Sequence, residues 1–198
     1  MSTDTLAARP AATSGSRIQW HPPASDGQIA PSELQQDISL FLALEAEAFD
    51  ARRYDEWTAM LDDDFTYQVP VPVVRDSIGS LPYDPGSLLI DETKGSIVDV
   101  WLARLGQDLY DVAWGEHPAF RFRHHVSNIR VRTTGTPDTF LARSNVLLTM
   151  VRQATDPAQL GAERYDLVRP SGSGWTLRSR YCVLDCVVLN VPQVRVLL

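Results

Sequence analysis

From Phe120 to Val188 the chain repeats one kind of segment four times, and that run narrows the folds open to it. Phe120, Phe122, His124 and Val126 alternate with Arg121, Arg123 and His125, the two-residue period of a strand with one buried face. The apolar phase then moves to Ile129 and Val131. A one-residue slip inside a strand predicts a bulge near Ser127 and Asn128. Phe140 to Gln153 is a long apolar-rich strand, and segments 164–169 and 175–188 flank Ser171-Gly172-Ser173-Gly174, a hairpin signal. Four long strands on short turns bury their apolar faces by forming one sheet and covering it.

The cover comes from the first half. Pro31-Ser32-Glu33-Leu34-Gln35 opens the folded part, with Ser32 and Gln35 spaced as a capping box. Leu34, Ile38, Phe41, Leu42 and Phe49 then recur at helical spacing. A short second helix is expected from Tyr54 to Leu61, ended by a solvated Asp62-Asp63-Asp64 turn. Phe65, Tyr67, Val69 and Val71 read as a strand, which Pro70 and Pro72 place at an edge or end early. Residues 72–90 are expected to be a long loop. Ile97, Val98, Trp101, Leu102, Leu105 and Leu109 form the stripe of a third helix, N-capped by Asp91 or Thr93. Helices first and strands after them predict an α+β fold: three N-terminal helices packed on a strongly bent antiparallel sheet. Residues 1–30 are rich in Ala, Pro, Ser, Thr and Gly without periodicity. They read as an extended or disordered arm, leaving 31–198 as a single α+β domain. Trp20 is the large aromatic in that arm, and docking and simple exposure are both open to it.

The chain has 198 residues, enough for one domain, with 25 acidic against 18 basic residues and a formal net charge of -7. That balance argues against nucleic acid as the main partner. No run approaches 18 apolar residues, so no membrane helix is expected, and the N-terminus lacks the apolar core of a secretory signal. Cys182 and Cys186 on one strand would have Cα atoms roughly 13 Å apart, too far for a disulfide. Both read as buried thiols of a cytoplasmic protein.

Residues suited to chemistry are scattered. His124 and His125 are adjacent on a strand and point to opposite faces, and His117 reaches them only through the fold. The sequence holds no zinc spacing, no second Cys/His pair for a Rieske cluster, no phosphate loop and no nucleophile elbow. One acid–base constellation is conceivable between helices and sheet: Asp50 or Asp55 with Tyr67 and His124 or His125. The bland alternative is a filled core. No catalytic, cofactor-binding or metal residue is therefore assigned.

Several segments, in order, carry a family likeness. Phe41-Leu-Ala-Leu-Glu-Ala-Glu-Ala-Phe-Asp50 and Ala51-Arg-Arg-Tyr-Asp-Glu-Trp57 resemble the opening helices of β (small) subunits of aromatic-ring-hydroxylating dioxygenases. Phe65-Thr-Tyr-Gln-Val-Pro70 is similar to the strand that follows there. Ala113-Trp114-Gly115-Glu116-His117-Pro118 looks like the family's A-W-x-E-x-P segment, and 123–131 like its R-H-x-V-S-N-V-x-V segment. Arg143-Ser144-Asn145, then Trp175, Arg180 and Leu184-Asp185, resemble its R-S-N and closing strands. The likeness spans residues 33–198. The longer arm, the 73–90 loop, Cys182 and Cys186 are particular to this chain.

The resemblance implies a nuclear transport factor 2-like (cystatin-like) cone and a structural, non-catalytic β subunit. It implies an α (large) subunit partner, typically in α3β3 assemblies with β–β contacts. It implies that the partner holds a Rieske [2Fe-2S] cluster and mononuclear Fe(II), fed from NADH through a separate reductase. The reaction adds O2 to an arene to give a cis-dihydrodiol. The rival reading is a stand-alone cone-fold dehydratase or isomerase using the Asp–His pair, and a plain binding module is a third. From the ligand sets, metal analysis of the purified chain should find no stoichiometric iron or zinc. One ion per chain, lost on replacing His124 or His125, would contradict this.

Overall fold

The structure is a computed structural model and describes residues 19–106, 108–152, 156–189, 191 and 198. Helix α1 spans Ser32–Asp50 and buries Ile38, Phe41, Leu42, Glu45 and Phe49, the stripe its spacing predicts. The expected capping box does not form. Ser32 is already the first helical residue behind Pro31, and the Gln35 amide donates back to the Ala30 carbonyl at 3.1 Å. Helix α2 covers Tyr54–Ala59 with Trp57 buried.

The aspartates that follow do not form a solvated turn. Strand β1, Leu61–Pro72, begins before them. Asp62 is buried and ion-paired with Arg169, while Asp63 pairs with Lys94. Nor are residues 72–90 one long loop, because strand β2, Tyr83–Thr93, pairs antiparallel with β1. Its sequence, Tyr-Asp-Pro-Gly-Ser-Leu-Leu-Ile, lacks a clean alternation and gains its strand geometry from that partner. β1 is not an edge strand either. It lies between β2 and β6 (Gly174–Leu184), and its prolines sit beyond the last β6 pair, Gln68 with Tyr181.

Helix α3 runs through three contiguous pieces, Lys94–Ser96, Ile97–Leu102 and Ala103–Gly106, the middle one π-helical. Thr93 caps it, its hydroxyl accepting from the Ser96 N–H at 3.3 Å while the Ser96 hydroxyl accepts from the Thr93 N–H at 2.9 Å. Ile97, Trp101, Leu102 and Leu105 are buried. Leu109 is exposed, because the helix stops at Gly106 before reaching it.

Strands β3 (Arg121–Thr133), β4 (Phe140–Val151), β5 (Ala158–Ser171) and β6 complete a six-stranded sheet in the order β2-β1-β6-β5-β4-β3. The sheet is antiparallel except that β1 and β6 run parallel, which departs from the all-antiparallel expectation. After β2 the chain crosses to the far edge and returns strand by strand, and the return ends beside β1 in the same direction. The predicted bulge is present. Register breaks between Ser127 and Arg130, with Asn128 at φ 52°. Ser171 pairs with Gly174 across the predicted hairpin, with Gly172 at φ 57°, a sign that glycine adopts freely.

Two faces result. Val146, Leu148, Leu160, Ala162, Val168 and Leu184 join the helices in one core. On the other face Tyr83, Leu141, Tyr165, Tyr181 and Val183 form a second cluster, and Trp20 packs on it. Trp20 therefore docks, and it docks on its own chain. Its N–H donates to the Pro85 carbonyl at 2.7 Å beside β2, and its carbonyl accepts from the Tyr181 hydroxyl at 3.1 Å. At the opposite edge the Ala30 N–H donates to the Val131 carbonyl at 3.0 Å. Residues 20–30 thus connect both sheet edges, which would otherwise present unpaired backbone. Gly27 is required there, since a Cβ would lie 1.8 Å from the Thr133 carbonyl oxygen.

Trp101 stands edge-on to Tyr67, ring centroids 6.2 Å apart, within the core. Trp101→Ala should cost about 3–5 kcal/mol in a denaturant melt. A loss under about 1 kcal/mol would show that the helix stripe does not anchor the core.

Candidate functional site

The space between helices and sheet is occupied by charge. Glu45 lies in the apolar stripe of α1, and Arg164, Asp166 and Arg180 face it from β5 and β6. All four are buried. Arg180 donates to both Glu45 oxygens at 3.0 Å and through Nε to Asp166 at 2.8 Å. The Trp57 indole N–H donates to Glu45 at 2.7 Å. Arg164 adds its charge with Nε 2.9 Å from Asp166 and Nη1 3.8 Å from Glu45. Two cations and two anions leave the cluster neutral, the condition under which buried charge is tolerable.

The electrostatics follow. Burial alone would raise the Glu45 carboxyl, but the Arg180 and Arg164 charges and the Arg180 and Trp57 hydrogen bonds hold it down at about 2. Burial works against the Arg180 cation, yet Asp166 and Glu45 raise it well above its ordinary value. Glu45 and Arg180 thus hold each other in their charged forms.

Beside this cluster the Cys182 thiol donates to the Leu198 backbone oxygen at 3.3 Å. The Leu198 N–H donates to the Tyr67 hydroxyl at 3.2 Å. Burial pushes Cys182 up to about 12 and Tyr67 well above the usual phenol range. A thiol so protonated is a packing group, not a nucleophile. Cys186 is only half-buried, against the expectation of two buried thiols.

Of the acid–base candidates, the fold brings two together. Asp50 Oδ1 is 2.6 Å from His124 Nδ1, and its other oxygen accepts the His124 backbone N–H at 3.0 Å. Both side chains are more than nine-tenths buried, and Phe49 stands edge-on to the imidazole. The pair fastens the end of α1 to strand β3 and caps a backbone donor on that edge strand. Tyr67 is elsewhere, beneath Trp101. Asp55 lines a separate cleft with Arg52, Arg53 and Glu56. His125 is exposed on the opposite side of the strand from His124, and His117 lies 2.7 Å from the Tyr110 carbonyl oxygen. Among the described residues, no three His, Cys, Asp or Glu side chains converge as a metal site.

Glu45, Arg164 and Asp166 were missed as a cluster, though a signal for them was present. Glu45 stands in phase with Ile38, Phe41, Leu42 and Phe49. Arg164 and Asp166 stand in phase with Leu160, Ala162 and Val168. Charged residues in the apolar phase of an element are buried with it and require partners there.

A family model described as the ring hydroxylating beta subunit matches residues 44–191. A chain of naphthalene 1,2-dioxygenase, in a structure with indole bound in the active site, is 22% identical with a TM-score of 0.73. The match covers 85% of this chain and 88% of that one. The benzoate 1,2-dioxygenase β subunit of Burkholderia mallei is 22% identical at a TM-score of 0.55, covering 76% and 89%. ActVI-ORFA of Streptomyces coelicolor shares the fold at 18% identity and a TM-score of 0.54, covering 78% and 98%. These likenesses establish the cone fold.

Because the Glu45 carboxyl sits near 2 in the fold against 4.5 without it, its contribution is fully present above pH 4.5 and is lost as pH falls through 2. Chemical unfolding should show on the order of 3 kcal/mol lost across that window. Glu45→Ala should be strongly destabilised at neutral pH, by about 3–5 kcal/mol, through two arginines left with one carboxylate. It should also lack this acid step, and an unchanged acid profile would refute the assignment.

Proposed function

Since the chain belongs to the family of ring-hydroxylating β subunits, and is thus the small-subunit component of an oxidoreductase with a large-subunit partner, we propose that its own role is wholly structural. The observation that carries this is the neutral, fully buried Glu45–Arg164–Asp166–Arg180 cluster, which occupies the space where a cone-fold enzyme would hold substrate. The Asp50–His124 contact is buried, with Phe49 edge-on to the imidazole, and lacks Tyr67 as a third member. It serves to join α1 to β3.

In this reading the assembly is α3β3, with β–β contacts between small subunits, and works in the cytoplasm. Two unpaired cysteines suit a reducing compartment. No described helix is long and apolar enough to cross a membrane. The Rieske cluster and mononuclear iron belong to the large subunit, with NADH supplying electrons through a separate reductase. This chain's residues do not fit either group. Cys182 is committed to Leu198, and His124 and His125 face opposite ways. The reaction supported is addition of O2 to an aromatic ring, giving a cis-dihydrodiol. The small subunit contributes folded surface to the complex that performs it.

Asp50→Asn and His124→Gln should leave turnover per assembled, iron-loaded complex within a few-fold of the parent. General acid–base groups contribute roughly 10²–10⁴-fold. A fall of that size at unchanged assembly and iron content would make the pair catalytic.

A further inference from the structure

The segment between α3 and β3 holds large apolar side chains out into solvent. Trp114 is 86% exposed, and Val112 beside it is 72% exposed. Nothing about the turn that carries them is loose. The Ala113 N–H donates to the Leu109 carbonyl at 3.0 Å, and the Glu116 N–H to the Ala113 carbonyl at 2.7 Å. Arg152, at the end of β4, donates to the Gly115 carbonyl at 3.1 Å while its guanidinium lies 4.9 Å over the Phe120 ring. Arg52 fastens both ends of the segment, donating to the Leu105 and Phe120 carbonyls. A tryptophan held outward on a fixed turn loses little conformational entropy on binding, which is the property of an interface anchor.

Where this segment runs into β3 lies an open cleft of about 440 Å³, lined by Asp50, Arg52, Phe120, Arg121 and Arg123 among others. Three arginines against one aspartate make it positive, on a chain whose net charge is -7. Arg121 is exposed, and Arg123 is 70% exposed and only 3.9 Å from its nearest carboxylate. Arginines this exposed bind a small free carboxylate weakly in water. A protein surface that covers them removes that screening.

We propose that the Val112–Trp114 turn and the arginine cleft form the seat of the large subunit, with Trp114 entering an apolar pocket there and Arg121 and Arg123 meeting its carboxylates. The assignment rests on the β-subunit reading above. A second copy of this chain fits less well. A twofold contact through this face would set arginine against arginine. In the acidic 62–64 stretch of β1, two of three carboxylates are already held by Arg169 and Lys94.

The test uses the full chain and the large subunit that copurifies with it, their association followed by surface-immobilised binding at low and high salt. Trp114→Ser should weaken association by about 30-fold or more with the chain's own thermal unfolding unchanged, and Trp114→Phe should restore part of it. Arg121→Ser with Arg123→Ser should slow association roughly tenfold at low salt and flatten its salt dependence. Parental affinity and salt dependence in these variants would overturn the seat while leaving the β-subunit reading intact. The same holds if they lose self-association but bind the large subunit normally. A parent chain that captures no large subunit under any condition would overturn both.

Discussion

The bidentate contact between Arg180 and Glu45 is the interaction on which the rest of this structure depends. It joins a helix near the start of the domain to its last strand, 135 positions apart in sequence. Trp57 enters through its indole N–H, and Asp166 and Arg164 complete the charge balance. Desolvating four charges is expensive, and their attraction recovers that only with close geometry. Such a cluster therefore selects one placement of α1 on the sheet, since most displacements strand a charge.

That constraint sets what fills the interior among the described residues. A cone of helices on a bent sheet leaves room between its layers, and here the room is taken by ions, Trp57, Tyr67 and Leu198. The Asp50–His124 contact has the composition of a proton-transfer pair and the surroundings of a fastening. Its carboxylate is divided between an imidazole and a backbone N–H, both side chains are buried, and Phe49 stands edge-on to the imidazole.

The outer face of the sheet is managed by the chain itself. Residues 20–30 link the β2 edge to the β3 edge, and Trp20 covers the aromatic cluster between them. With those edges occupied, the exposed Trp114 turn and the arginines next to it stand out as surface left uncovered. Rigidity at that place, supplied by Arg52 and Arg152, is what separates an anchor from a loop.

The sequence by itself determined the elements whose patterning is local. These are the α1 stripe, the alternation and bulge of β3, the Ser171–Gly174 turn and the opposite facing of His124 and His125. Each follows from residues within a few positions of one another, where side-chain period and turn chemistry decide. Tertiary structure decided the rest. β2 is a strand because β1 offers it hydrogen bonds. The aspartates at 62–64 enter a strand because Arg169 and Lys94 neutralise two of them. Leu109 leaves the helix stripe because α3 ends early. Asp50 meets His124 and misses Tyr67 because α1 ends against β3, while Tyr67 lies on β1, with three strands between the two in the sheet. The phase of Glu45, Arg164 and Asp166 marked them as buried. Which charges would face which was settled only when the chain returned, through β5 and β6, to the helix it began with, because pairing energies act across space that sequence spacing does not encode.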